Sequence, residues 1–345
     1  MKTVKLWYSG FWDDFDYENN LFSDILKKRY TVVLDEQDPD FLICSPLGTP
    51  FEYMRYECPR IVFTGEPMCA DFTVIDYFIG FDDISFGDRA MRFPLHLCWS
   101  GRDNPREKPL TEDEAVKILR SKAYFCNFIY GHQTQLGLRE SILDTLSTYK
   151  RVECAGSFRN NMPDGKRYNM HNKWALMEKC KFSIAAESVP YRGFASEKMV
   201  NALETRTIPI YSGNVDIAKE FNADAFVQCT DFSSLEPMLK KVIEIDNDDD
   251  LYIHMLCQNW YVEADYVEKK YQELENFLYH IFDQDKEEAY RRLRYCCSNY
   301  QEAWLKHYMR MYGTIPYRLD RKRKYLMYKI RRLLGSEEEI DLLVK

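Results

Sequence analysis

Apolar positions along this chain fall into short unbroken clusters, and between the clusters lie stretches with helical spacing. Residues 4–8, 32–34, 41–44 and 61–63 are runs rich in β-branched, Leu and aromatic side chains, with the length and composition of buried strands. A helical stretch covers residues 19–28, and Ser45-Pro-Leu-Gly48 marks a turn. Further along, Thr111 stands three residues before Glu114, the spacing of a capping box, so a helix opens there. Residues 124–130 again read as a strand. Residues 138–149 predict a helix with Leu138, Ile142, Leu143 and Leu146 on its buried face. Alternation of this kind implies parallel sheets flanked by helices. The pattern contains no internal repeat.

The densest chemistry lies in residues 181–213, KFSIAAESVPYRGFASEKMVNALETRTIPIYSG. Residues 182–186 form an apolar strand, and a polar loop with Pro190 and Gly193 breaks it. Ser196 is expected to cap the helix that follows. Glu197 and Lys198 fall in its first turn, and Met199, Ala202 and Leu203 face a core. Arg206 and Thr207 end the helix, residues 208–211 form the next strand, and Gly213 is the turn leaving it. Such a strand-loop-helix-strand unit holds anionic ligands at the carboxyl edge of the sheet. An ammonium in the first turn of a helix is unfavourable beside the positive end of the dipole, so Lys198 suits an anion such as a diphosphate. The other reading of Lys198 is a solvated lysine paired with a nearby carboxylate.

Length and composition narrow the class. A chain of 345 residues exceeds one ordinary hydrophobic core, so two domains are expected, and 46% apolar residues is a globular share. No apolar run approaches the length of a membrane span, and the N-terminus opens directly as a strand without the pattern of a signal peptide. Eleven cysteines without metal-ligand spacing read as reduced thiols, which points to the cytoplasm. The six histidines show no HExxH spacing and no D-x-D ends an apolar strand, so no metal site is expected. Residues 246–250, DNDDD, read as an exposed acidic linker, because the glycine and terminal Glu of a calcium loop are missing.

Charge changes the picture at the C-terminus. Residues 317–334 hold eight Lys and Arg against the single acid Asp320, a local +7 in a chain of net −8. Leu326, Ile330, Leu333 and Leu334 keep a helical stripe through it. A basic amphipathic helix suits an anionic membrane surface. The alternative is a helix packed back on the acidic body. A nucleic-acid partner is not expected, since the rest of the chain is acidic and carries no recognition motif.

Two further residues draw notice. Glu66 follows the strand of residues 60–64 at Gly65, where a carboxylate projects from the carboxyl edge of the N-terminal sheet. Taken alone it is an ordinary turn residue. Arg139 begins the helix after the strand of residues 124–130, where guanidinium could take phosphate oxygens bidentately; taken alone it is a neighbour of Glu140 on a solvated face.

These segments resemble the α-1,3/1,4-fucosyltransferases of glycosyltransferase family 10, in particular the soluble bacterial enzymes. The family signature runs F-x-x-x-F-E-N-S, a short loop, Y-V-T-E-K, N-A, and a final T/V-I/V-P-I/V-x-x-G. It stands here as KFSIAAES, Phe194-Ala-Ser-Glu197-Lys198, Asn201-Ala202 and Thr207-Ile-Pro-Ile-Tyr-Ser-Gly213. It continues downstream through residues 217–222, 225–227 and Asp231-Phe232. Upstream, Arg60-Ile-Val-Phe-Thr-Gly-Glu66, Asp71-Phe72, Asp76-Tyr77, residues 79–82 and Arg92-Phe-Pro94 resemble the acceptor-domain block. Three positions depart from the family: Ala186 replaces its Phe, Ser188 its Asn and Phe194 its Tyr.

The resemblance implies an α/β fold of GT-B type, two Rossmann-like domains facing across a cleft, with a C-terminal helical tail. The expected boundaries are 1–155 for an acceptor-binding domain, 156–316 for a GDP-fucose-binding domain and 317–345 for the tail. It implies inverting transfer of L-fucose from GDP-β-L-fucose to an oligosaccharide such as N-acetyllactosamine, in α-1,3 or α-1,4 linkage, for surface glycan or lipopolysaccharide. Glu66 is the expected catalytic base. Arg139 and Lys198 are expected on the diphosphate, Glu197 on the ribose, Ser188 and Phe194 along the donor, and Glu187 as an orienting group. Arg159-Asn160-Asn161 matches a family segment between the domains. No cofactor is obligatory, stimulation by Mn²⁺ is left open, and the expected location is the cytoplasmic face of a membrane. Ser188 and Phe194 keep open a GT-B transferase using another nucleotide sugar. A catalytically silent glycan- or nucleotide-binding protein is the alternative from another class.

Overall fold

The structure is a computed structural model that describes residues 1–97, 110–134, 137–231, 234–292 and 297–333, with the side chains of residues 164, 231, 297–298, 325 and 328–333 left aside. Eleven strands build two sheets among these residues. They are β1 (Lys2–Ser9), β2 (Tyr30–Leu34), β3 (Phe41–Cys44), β4 (Arg60–Phe63), β5 (Tyr77–Gly80), β6 (Ala90–Arg92), β7 (Tyr124–Phe128), β8 (Val152–Cys154), β9 (Cys180–Ala186), β10 (Ile208–Ser212) and β11 (Val227–Gln228). The helices are α1 (Leu21–Lys27), α2 (Glu112–Ser121), α3 (Leu138–Ser147), α4 (Trp174–Met177), α5 (Lys198–Glu204), α6 (Leu235–Asn247), α7 (Asp249–Leu256), α8 (Tyr266–Asp283), α9 (Lys286–Ala289), α10 (Cys297–Tyr312) and α11 (Ile315–Leu333).

The first sheet runs β2-β1-β3-β4-β5-β6 and the second β11-β10-β9-β7-β8. β1 pairs in parallel with β2 and β3, and β3 with β4. All pairs of the second sheet are parallel. Every residue of β3 and β4 is buried, as expected of strands covered on both faces, and this explains their unbroken apolar runs. Asn20 caps α1 by accepting from the backbone of Phe22 and Ser23, and the Thr111–Glu114 capping box is formed at α2.

The chain divides into two compact units: Met1–Phe63, Ala70–Phe78 and Tyr279–Lys345 in one, Thr64–Cys69 and Ile79–Leu278 in the other. The expected boundary at residue 155 does not hold, because β7 and β8 lie before it and pair in the same sheet as β9. A parallel neighbour is chosen by long-range register, and nothing in the local pattern reveals it.

Two smaller expectations are also corrected. Residues 247–250 are exposed as expected, but the segment is no linker: Asp246 is buried in the last turn of α6, its carboxylate 2.5 Å from Lys150 Nζ and 2.8 Å from Lys181 Nζ, and Asp248 caps α7. In α3, Ile142, Leu143 and Leu146 are buried, but Leu138 in the first turn is exposed. At the other end of the chain α11 is helical through Leu333. The Leu334 position of the expected stripe lies outside the described residues, as does Phe232.

Candidate active site

The loop between β9 and α5 is built around one buried carboxylate. Glu187 follows the last residue of β9, and its Oε1 accepts from Ser196 N at 2.8 Å. Its Oε2 accepts from Ser196 Oγ at 2.7 Å and from Lys198 Nζ at 3.2 Å. Gly213 is needed beside it, since a Cβ there would stand 2.5 Å from Glu187 Cγ. Ser196 is therefore not the helix cap that its position suggests. Its hydroxyl is committed to Glu187, α5 starts at Lys198, and no side chain caps that end. The strongest local acceptor has taken the hydroxyl that propensity assigns to the backbone.

Lys198 is held by two carboxylates, with Glu197 Oε1 at 3.6 Å besides Glu187. Burial alone would push its ammonium down, but Glu187 and Glu197 outweigh burial and raise it above the usual lysine range. For Glu197 burial pushes upward, and Lys198 and Lys173 outweigh it and lower the carboxyl.

A buried cation, Arg139 of α3, stands beside the end of β7. Tyr130 donates its hydroxyl to Ile184 O at 2.7 Å and accepts from Ala186 N at 2.9 Å, which locks the ring between β7 and β9. The Arg139 guanidinium stacks on that ring, 3.8 Å from its centroid. It donates to His132 O and Ala186 O, and its Nε has no partner among the described residues. Arg139 is 3% exposed, so the solvated-face reading fails. Its neighbour Glu140 is buried as well and accepts from Thr134 N and Oγ1, both at 2.9 Å, closing the loop before α3.

These groups line one cleft of about 670 Å³ within the second unit. Its walls include Glu66, Arg139, Ser188, Phe194, Glu197 and Lys198, so all the expected site residues meet there except Glu187, whose side chain is fully hidden behind Ser196 and Lys198. Glu66 is exposed at a tight turn. Its N–H donates to Thr64 Oγ1 at 3.0 Å, and a Cβ on Gly65 would stand 2.8 Å from Leu95. Phe194 is buried edge-on against Phe81, with ring centroids 5.3 Å apart, and Ser188 is exposed.

Comparison with known proteins decides the family. Residues 119–294 match the model of the glycosyltransferase family 10 (fucosyltransferase) C-terminal region, about half of the chain, and residues 6–99 match the alpha-(1,3)-fucosyltransferase FucT N-terminal domain. The chain belongs to glycosyltransferase family 10. It is 26% identical over 292 residues to the Helicobacter pylori alpha-(1,3)-fucosyltransferase FucT, covering 74% of this chain and 60% of that protein. A crystal structure of an alpha1,3-fucosyltransferase with GDP-fucose superposes with a TM-score of 0.62 at 22% identity, over 80% of this chain and 90% of that one. Another of an alpha1,3-fucosyltransferase gives 0.64 at 23% identity over the same shares. The fold is thus GT-B, two parallel-sheet α/β units with a helical C-terminal region.

Sequence reasoning within this family missed Tyr130 and Lys173, both of which line the cleft. Neither belongs to a periodic pattern: Tyr130 follows β7 in a loop, and Lys173 precedes a helix of only four residues. Conversely, Arg159-Asn160-Asn161 is no interdomain segment. Asn161 braces the exit of β8 through Cys154 N at 2.9 Å and Val152 O at 2.8 Å, Arg159 pairs with Asp144 at 2.5 Å, and the cleft lining includes none of the three.

Proposed function

We propose that this family 10 protein is an inverting fucosyltransferase that moves L-fucose from GDP-β-L-fucose to a GlcNAc or Glc hydroxyl, in α-1,3 or α-1,4 linkage. One observation carries the reading: Glu66, a carboxylate without an ion pair among the described residues, shares a single cleft with two cations, the buried Arg139 and the partly buried Lys198. The acceptor oxygen attacks the anomeric carbon, its proton passes to Glu66, and the bond from that carbon to GDP breaks. Arg139 and Lys198 take up the charge that develops on the departing diphosphate. Glu187 acts through Lys198 and Ser196 as a positioning group. Glu197 is assigned to the ribose.

Acceptor-dependent release of GDP tests this reading, with N-acetyllactosamine as acceptor. Glu66→Gln should lower kcat by about 10²-fold or more with GDP affinity unchanged. Activity within threefold of the parent would remove Glu66 from the mechanism. Phe194 and Ser188 favour one second reading, a different nucleotide sugar, because a phenol and an amide of the family pattern are replaced there. Turnover of another nucleotide sugar but not GDP-fucose would establish it, and GDP binding without any turnover would indicate a silent binder. With two protein cations on the leaving group, we assign no obligatory cofactor. The assay with EDTA and with Mn²⁺ checks this.

We further assign α11 to an anionic membrane on the cytoplasmic side, which would bring the enzyme to a surface-glycan or lipopolysaccharide acceptor. Ile315, Leu319 and Leu326 are 71%, 62% and 58% exposed, which is apolar surface that a body-packed helix would hide. α11 meets α10 at its beginning, where Tyr317 and Tyr308 share a 2.7 Å hydrogen bond. Among the described residues no helix is long and apolar enough to cross a membrane, so the contact would be peripheral.

A further inference from the structure

We propose that Lys173 is a third phosphate-binding cation of the cleft, contacting the diphosphate of the nucleotide together with Arg139 and Lys198. The proposal rests on the donor reading above and goes beyond it, since no motif marks this residue.

Position comes first. Lys173 lines the same cleft as Arg139 and Lys198. Its backbone is fixed at both ends: its N–H donates to Asn169 O at 3.0 Å, and its carbonyl accepts from Leu176 N and Met177 N, both at 3.1 Å. The next residue, Trp174, packs with Met177 against Ala202 of α5 and Ile129 beyond β7, so α4 is seated beside the helix that carries Lys198 and beside the end of β7, where the Tyr130 ring holds Arg139 of α3. The Lys173 ammonium lies 5.0 Å from the Trp174 ring centroid, which limits where the side chain can swing.

Charge comes second. The wall formed by the ends of β7 and β9 with α5 holds the carboxylates Glu187 and Glu197, and both lie within 3.6 Å of Lys198. Over the whole cleft Arg139, Arg167 and Lys198 only cancel Glu66, Glu187 and Glu197, leaving zero net charge for a ligand that carries at least two negative charges. Lys173 makes the balance positive. Burial lowers the Lys173 ammonium below the usual lysine range, with Glu197 opposing and Lys198 adding to the shift. A desolvated cation of this kind gains from an incoming anion.

The competing role is structural, with Lys173 serving only to hold Glu197 against the ribose. GDP and guanosine separate the two, because only GDP carries the diphosphate. Titration calorimetry of the full chain should show Lys173→Ala weakening GDP by about tenfold or more with guanosine unchanged, and Lys173→Arg retaining GDP within about threefold. Lys173→Met keeps the aliphatic stem over Trp174 and should repeat the alanine result if the alanine variant folds poorly. Equal loss of GDP and guanosine affinity, or no loss of either, would overturn the proposal. If the parent protein bound GDP and the Lys173 variants bound it as tightly, this inference would fall alone; no GDP binding by the parent would remove the donor reading with it.

Discussion

Each unit of this molecule buries an arginine, and the two are treated in opposite ways. Arg60 in β4 is fully hidden, and its guanidinium is satisfied throughout, by Tyr56 O, Val74 O and Glu302 of α10 at 2.7 Å. Arg139 in α3 is nearly as deep, yet it donates to two carbonyls at 3.2 and 3.4 Å, leaves Nε without a partner among the described residues and borders a cleft. A buried cation with every donor engaged ties elements together. One with a donor left open has hydrogen-bonding capacity to offer an anion.

The largest effect expected from this contrast is on stability. Arg60→Met should destabilise the protein by about 3–5 kcal/mol in chemical denaturation, because it strips the partner from Glu302 and from buried carbonyls. A loss below 1 kcal/mol would mean that the pair ties nothing together.

His96 adds a third kind of buried group, one kept neutral. Burial lowers it to about 4, with Arg92 adding and Glu220, 3.7 Å away, opposing. The unfolded imidazole takes its proton near pH 6.5 and the folded one only near 4, so its contribution is complete above pH 6.5 and is lost as pH falls toward 4. At about 1.4 kcal/mol per unit this amounts to about 3 kcal/mol, and His96→Leu should flatten that part of the stability profile. An unchanged slope in the variant would assign the acid lability to other groups.

Arg139→Ala should do the reverse of the Arg60 change. GDP affinity should fall by about 10- to 100-fold with guanosine nearly untouched and the denaturation midpoint moved far less than for Arg60. Equal GDP affinity would show that its open donors do not serve the diphosphate.

The contrast also shows what a sequence discloses. β3, β4 and β9 were legible because strands buried on both faces leave continuous apolar runs, and α2 because Thr111 and Glu114 cap it locally. The three-residue strands β6 and β8 and the four-residue α4 carry too few positions for a period. That Glu66, Glu197 and Lys198 border one cleft was legible through motif spacing. Lys173 was not, for its place beside α5 depends on packing of Trp174 and Met177 against residues far along the chain. Ser196 was misjudged because a buried carboxylate nine residues earlier outcompetes the helix end for its hydroxyl.

The smallest catalytic effect should come from the tail. Deleting residues 319–345 should abolish sedimentation with anionic liposomes at low salt while kcat on a soluble acceptor stays within a few-fold, and added salt should mimic the deletion. No liposome binding by the intact chain, with a lower melting temperature on truncation, would make α11 a structural helix.

The central claim is that Arg139, Lys198 and the Glu66 carboxylate serve one inverting transfer. Proton NMR of the product formed from GDP-β-L-fucose and N-acetyllactosamine reads it directly, through the anomeric coupling of the new fucose residue. The account predicts an α-L-fucoside; a β-L-fucoside, or no fucosylated product from a protein that binds GDP, would contradict it.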